Sequence, residues 1–170
     1  FVGFSAQDDH GHGTHCAGLA CGPKASRHDN GVRYGVAYDA ELYVGKVMNS
    51  AGVTVDDSLL NGIDWAISEK CHVVSMSLTY DFIDLRSRTP RTVTPTENQN
   101  LYDRVANMAL NMKTLLVAAA GNASLRSRGD LIPCGSPANS PLIFAIGAID
   151  SRFELADFSN FGRFRDIGGE

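Results

Sequence analysis

Long apolar runs are missing from this chain. None approaches the roughly 20 residues that cross a bilayer, so no membrane partner is expected, and no signal-peptide pattern is visible. A basic surface is missing too. Lys and Arg number 15 against 19 Asp and Glu, for a net charge of −4. The one loose cluster, Arg86, Arg88 and Arg91, reads as a solvated loop, so no nucleic-acid partner is expected. No Gly-rich phosphate loop joins a strand to a helix, which removes a nucleotide-binding α/β protein from consideration. Internal repeats and low-complexity tracts are absent. Cysteine is sparse: the only close pair among the four, Cys16 and Cys21, has no second pair to complete a metal-ligand pattern. Cys16 is expected as a buried thiol inside a helix. Whether Cys71 and Cys134 pair stays open from sequence. With 44% hydrophobic and 20% charged residues over 170 positions, the chain is expected to form one globular domain, residues 1–170.

What is present concentrates in Asp8-Asp9-His10-Gly11-His12-Gly13-Thr14-His15-Cys16-Ala17-Gly18. Three histidines, two carboxylates and a thiol in so short a span suit catalysis or metal binding better than packing. The small residues Ala17, Gly18 and Ala20 read as the start of a closely packed helix. A histidine opening such a helix is held by rigid backbone, as a general base requires. A second stretch, Leu115-Leu116-Val117-Ala118-Ala119-Ala120-Gly121-Asn122, ends a buried strand in an amide.

Between and beyond these stretches, apolar runs alternate with amphipathic helices. Residues 41–48 read as a buried strand and 49–52 as a turn. A helix follows, with Asp56 and Asp57 at its start and Leu59, Leu60, Ile63 and Ile67 at helical spacing, ending near Lys70. Residues 72–78 form the next strand, so 41–78 reads as a βαβ unit with parallel strands. Residues 80–97 are irregular, with Pro90 and Pro95. A third helix spans 98–112, with Leu101, Val105, Met108 and Met112 on one stripe and the methionines as core filler. Strands are expected at 114–120 and 142–149. The fold class is therefore α/β, a mainly parallel sheet with helices on both faces in three layers. Ligands of such sheets sit beyond the carboxyl ends of the strands. That places Asn122 and Ser77-Leu78-Thr79 near one cleft.

The segment His12-Gly13-Thr14-His15-Cys16-Ala17-Gly18 resembles the histidine motif of the subtilisin-like serine proteases, in the form with cysteine found in the proteinase K branch. Ala119-Ala120-Gly121-Asn122 is similar to that family's oxyanion block. Ser136-Pro137-Ala138, Ala145-Ile146-Gly147-Ala148 and Phe158-Ser159-Asn160-Phe161-Gly162 match the segments after it, in order and at similar spacing. The resemblance implies that His12 is the general base of a Ser/His/Asp triad and that Asn122 donates to the oxyanion. His15 becomes structural, and His10 takes no role. Ser77, Leu78 and Thr79 become the edge that pairs with an extended substrate. The family usually has two glycines after the leucine where this chain has Thr79-Tyr80, whose side chains narrow or redirect the cleft. Ala119, Ala120, Gly121 and Gly135 line the primary specificity pocket, which small residues leave open to large apolar side chains. No cofactor is required for the chemistry. A structural calcium is implied on the carbonyls of Pro141 and Ile143 with the carboxylate of Asp166. A secreted monomer acting on polypeptides is the family habit.

The family's aspartate and its serine nucleophile are not among these residues. The chain starts on Phe1-Val2-Gly3-Phe4 without Met and stops on Asp166-Ile167-Gly168-Gly169-Glu170. An interior fragment of the fold, truncated at both ends and inactive alone, is expected. Two rivals follow from the same residues. One is a catalytically silent subtilisin-like binding domain, favoured by Thr79-Tyr80. The other is a zinc hydrolase using His10, His12 and His15, although Thr14 replaces the aspartate such a motif needs.

Overall fold

The computed structural model describes residues 5–24, 34–54, 56–80, 83–84, 89–90 and 95–162. They fall into two compact units, Phe1–Cys71 and His72–Glu170. Among the described residues, no helix is long and apolar enough to cross a membrane.

In the first unit, helix α1 (His12–Cys21) begins after Gly11, whose φ of 89° is left-handed. Its far end is joined to residues 34–37 by backbone bonds, Val36 N–H to Leu19 O at 3.2 Å and Ala37 N–H to Ala20 O at 2.8 Å. None of its residues is buried. The closely packed helix expected there is thus corrected. Gly13, Ala17, Gly18 and Ala20 carry too little side chain to drive burial on their own. Cys16, expected inside, is only half-buried.

Helix α2 (Asp56–Ser68) follows the predicted period: Leu59, Ile63, Ala66 and Ile67 are buried. It closes in a Schellman motif, with Lys70 at φ 60° and bonds from Lys70 N–H to Ile67 O and from Cys71 N–H to Ala66 O. Residues 41–48 lie alongside it but form no strand, which corrects the expectation. Tyr43 meets Trp65 at 6.2 Å between ring centroids, and Gly45 sits beneath the same ring. Apolar content reports burial, whereas a strand also needs a pairing neighbour, and among the described residues none pairs here. The turn at 49–52 is as expected. The Asn49 side chain accepts Ala51 N–H and Val53 N–H, each at 3.0 Å.

In the second unit, β1 (Val73–Met76), β4 (Leu115–Ala119) and β5 (Phe144–Ile146) make a parallel sheet in the order β1-β4-β5. Val73 pairs with Leu115, and Val117 with Phe144. The parallel crossover runs from β1 to β4 through the helix at Pro95–Asn111, one unit later than the sequence suggests. Within the irregular stretch, β2 (Ile83–Asp84) and β3 (Thr89–Pro90) pair antiparallel, with Pro90 in the kind of short ribbon an edge proline tolerates.

Helix α3 (Pro95–Asn111) starts with proline at its first position, where the missing N–H costs nothing. It packs on β4 through Tyr102, Ala106 and Ala109, all fully buried. Met108 and Met112 are 43% and 60% exposed, so their place as core filler is corrected. The buried stripe runs one residue over from the expected one, because two alanines let the helix approach the sheet closely around a single large ring. Strand β5 is also shorter than expected, and Phe144 and Ile146 are 61% and 53% exposed at the edge of the sheet.

Candidate functional site

His12 is the first residue of α1, and its ring is exposed. Its backbone is held by the residues before it. One oxygen of the Asp8 carboxylate accepts His10 N–H at 3.0 Å and Gly11 N–H at 2.8 Å. The other accepts Thr14 N–H at 2.8 Å and the Thr14 hydroxyl at 2.6 Å. These donors hold the Asp8 carboxyl far below the usual carboxylate range, the Thr14 hydroxyl contributing most. The loop is fixed again by Lys46, whose ammonium donates to Gln7 O at 2.7 Å and pairs with Asp9 at 3.0 Å. From the sequence, Asp8 takes no role of its own. The signal was the spacing of a carboxylate ahead of a helix start, the mark of a cap.

Around the His12 ring, Cys16 Sγ lies 3.7 Å from Nε2, one helical turn on. The His10 ring stands edge-on at 6.3 Å between centroids and 80° between planes. His15 is exposed on the same helix, and its N–H donates to Gly11 O. Among the described residues, no group of three or more His, Cys, Asp or Glu side chains is placed to hold a metal ion. The zinc arrangement of His10, His12 and His15 therefore has no geometric support.

Asn122 lies in the second unit, just beyond the carboxyl end of β4, and is exposed. Several other predicted residues come together around it. Ala119 ends the strand, half-buried, and Ala120 N–H continues the ladder to Ile146 O at 2.9 Å. Gly135 N–H donates to Ala120 O at 3.2 Å. Thr79 reaches Ser136 O through its hydroxyl at 3.4 Å, and Tyr80 and Ser136 exchange backbone bonds of 2.7 and 3.1 Å. Gly135 is buried against Thr79 and Tyr80 so closely that a Cβ there would overlap both. Leu78 and Thr79 are half-buried and Ser77 is exposed along the extended chain leaving β1.

Gly121 adopts a φ of 113°, and a Cβ on it would collide with the side-chain amide of Asn160. Asn160 is buried, and its Oδ1 accepts Ala123 N–H at 2.8 Å and Ser124 N–H at 3.0 Å. Sequence reasoning quoted Asn160 only within a matching segment, since nothing local marks a residue whose partners lie 37 positions away. Pro141 is exposed and Ile143 buried in a turn closed by Ile143 N–H to Ser140 O at 3.3 Å. Asp166, the third residue of the expected calcium site, lies outside the described residues.

Against known proteins, residues 3–166 match the subtilase family. The minor extracellular protease Epr of Bacillus subtilis (strain 168) is 34% identical over 158 residues, 93% of this chain and 21% of that protein. Subtilisin E of the same strain is 35% identical over 161 residues, 95% of this chain and 37% of the relative. Subtilisin of Bacillus pumilus is 35% identical over 161 residues and is covered to 51%. The chain thus spans between about a fifth and about half of the length of these relatives. A crystal structure of a lanthipeptide protease superposes with a TM-score of 0.52 at 17% identity, over 68% of this chain and 33% of that one, which speaks to the fold alone. The α/β fold with its parallel sheet, and a match running from residue 3 to residue 166, place the chain in the subtilase family.

Proposed function

We propose that these residues are part of the catalytic domain of a serine endopeptidase, with 1–170 a portion of one domain. The observation that carries the reading is the exposed His12 at the first position of α1, inside a segment that matches the family throughout. A general base must be fixed in backbone and open at its ring, and His12 is both. In this reading His12 takes the proton of a serine hydroxyl and returns it to the leaving amine. Serine and aspartate partners come from sequence beyond these 170 residues.

Asn122 supplies the side-chain amide to the oxyanion of the tetrahedral intermediate. Its exposure beyond β4 on a braced turn suits a donor that must face substrate. Ser77, Leu78 and Thr79 form the edge that pairs with an extended peptide, and Ala119, Ala120, Gly121 and Gly135 flank the side-chain pocket. Thr79 bridges the two groups through Ser136. The substrate is a polypeptide, no cofactor enters the chemistry, and the protein acts as a monomer. A structural calcium, where bound, would be held by the carbonyls of Pro141 and Ile143 together with Asp166. Both carbonyls belong to one turn, and hard oxygen donors suit that ion. Secretion follows the extracellular protease among the relatives.

The test is to express the parent coding region and assay peptide hydrolysis. Activity in the wild type, abolished by His12→Ala, is the expected result. Asn122→Ala should lower kcat about 10²–10³-fold with KM nearly unchanged, a magnitude that itself comes from a subtilisin. A parent polypeptide that binds peptides without cleaving them would replace the endopeptidase with the silent binding domain.

A further inference from the structure

The turn that carries Asn122 is gripped from one side by the buried residue Asn160, through its main chain and its side chain, with Ser124 N–H also donating to Phe158 O at 3.1 Å. Asn160 N–H donates to Gly121 O at 2.9 Å, just before Asn122. Its Oδ1 accepts Ala123 N–H at 2.8 Å and Ser124 N–H at 3.0 Å, just after it. The Ser124 hydroxyl lies 3.3 Å from the same oxygen and in turn accepts Ile132 N–H at 2.9 Å. Asn160 Nδ2 donates to Pro133 O at 3.2 Å, which fixes which way the amide faces. Asn160 is 3% exposed, so water does not compete for these bonds.

Only an amide fits this place. Oδ1 must accept from two backbone N–H groups while Nδ2 donates to a carbonyl, and no other side chain of this size offers both. The left-handed Gly121 leaves the space the amide fills. Asn122 is thus bracketed on both sides while its own side chain stays exposed.

We propose that Asn160 is a positioning residue that holds Asn122 where the oxyanion forms. An oxyanion donor works only if its position is set before the charge develops. A turn anchored at Gly121, Ala123 and Ser124 loses little freedom at the moment of reaction. The role rests on the reading of Asn122 as oxyanion donor, and the experiment separates the two.

In the parent enzyme, kcat and KM are measured for Asn160→Ala, Asn122→Ala and the double variant. Asn160→Ala should lower kcat about 10²-fold, the scale of an ångström-level misplacement, with KM nearly unchanged. In the Asn122→Ala background it should lower kcat no further, because residues acting as a unit are not additive. An unchanged kcat for Asn160→Ala, or the same loss in both backgrounds, overturns the proposal. Should Asn160→Ala not fold, Asn160→Ser is smaller, keeps a hydroxyl able to accept and donate, and should lower kcat less than Asn122→Ala does. A loss as large as that of Asn122→Ala then overturns it.

Amide exchange reads the clamp without any activity. Ala123 N–H should exchange much faster in Asn160→Ala, with Leu116 and Ala118 in β4 unchanged and Ser124 less affected because it also donates to Phe158 O. Unchanged exchange at 123 sinks the clamp itself. A wild-type parent that does not cleave peptides, with exchange as expected, sinks the endopeptidase reading and the oxyanion role of Asn160 with it, leaving a structural clamp.

Discussion

The carboxylate of Asp8 accepts both polar hydrogens of Thr14, the backbone N–H at 2.8 Å and the hydroxyl at 2.6 Å. Thr14 is the third residue of α1, so the bond satisfies one of the orphan donors at the helix start. Gly11, directly before the helix, has no side chain to cap it. Asp8 does so from further back and ties His10 and Gly11 into the same knot. His12 therefore enters its helix from a turn that is closed on both sides.

Stability should depend on this carboxylate in acid. Folded Asp8 binds its proton more weakly than the unfolded chain does, chiefly because of the Thr14 hydroxyl. The clamp contributes fully above the ordinary carboxylate value of 3.8 and fades as pH falls below it toward the depressed folded value. Urea unfolding followed from about pH 6 to pH 2 should show the wild type losing stability more steeply than Asp8→Asn. Parallel curves would mean the carboxylate is not held charged by these donors.

The shifted stripe of α3 makes a sharp contrast between two large side chains. Tyr102 is fully buried and Met112 is 60% exposed. Tyr102→Ala should cost about 3–5 kcal/mol, as for other large aromatic truncations in a core. Met112→Ala should stay within about 0.5 kcal/mol. Chemical denaturation of the two variants checks the assignment, and comparable losses would restore the methionine stripe.

Which parts of this arrangement the sequence revealed follows a physical line. The buried face of α2 was legible because Leu59, Ile63 and Ile67 repeat at the helical period and large side chains leave no doubt about which face is inside. On α3 the large residues Leu101, Val105, Met108 and Met112 mark a stripe one residue away from the buried one, because close packing favours Ala106 and Ala109, which carry little hydrophobic weight. Residues 41–48 carry a strand's composition, yet pairing depends on a neighbour that composition cannot show. Among the candidate functional residues, His12 and Asn122 are marked by local motifs. Asn160 is not, because it acts by hydrogen bonds to backbone that only folding brings near, whereas Asp8 caps its helix through residues two to six positions on and was legible from that spacing.

Two helices end on a lysine in the left-handed region, Lys70 at φ 60° and Lys113 at φ 65°. Lys113 N–H bonds to Leu110 O and Thr114 N–H to Ala109 O, the closing pattern in which glycine is the usual residue. A side chain in that conformation costs about 1–2 kcal/mol, partly offset by a positive charge at the helix C-terminus. Lys113→Gly should therefore stabilise the protein by about 0.5 kcal/mol despite the added freedom of the unfolded chain. A lower thermal midpoint would show that the charge outweighs the backbone strain.

Gly121 and Gly129 share a positive φ, 113° and 76°, but differ in what surrounds them. A Cβ at Gly129 meets nothing within 4 Å, whereas one at Gly121 collides with the Asn160 amide and presses Thr79 Cγ2 at 3.3 Å. Gly129→Ala should cost only the conformational strain, about 1–2 kcal/mol. Gly121→Ala adds the displacement of a buried amide and the loss of its bonds to Ala123 and Ser124, and should cost at least about 2 kcal/mol more. The excess should shrink in the Asn160→Ala background, where the amide is gone and the Cβ has room. Equal costs in both backgrounds would mean that backbone conformation alone demands glycine at position 121.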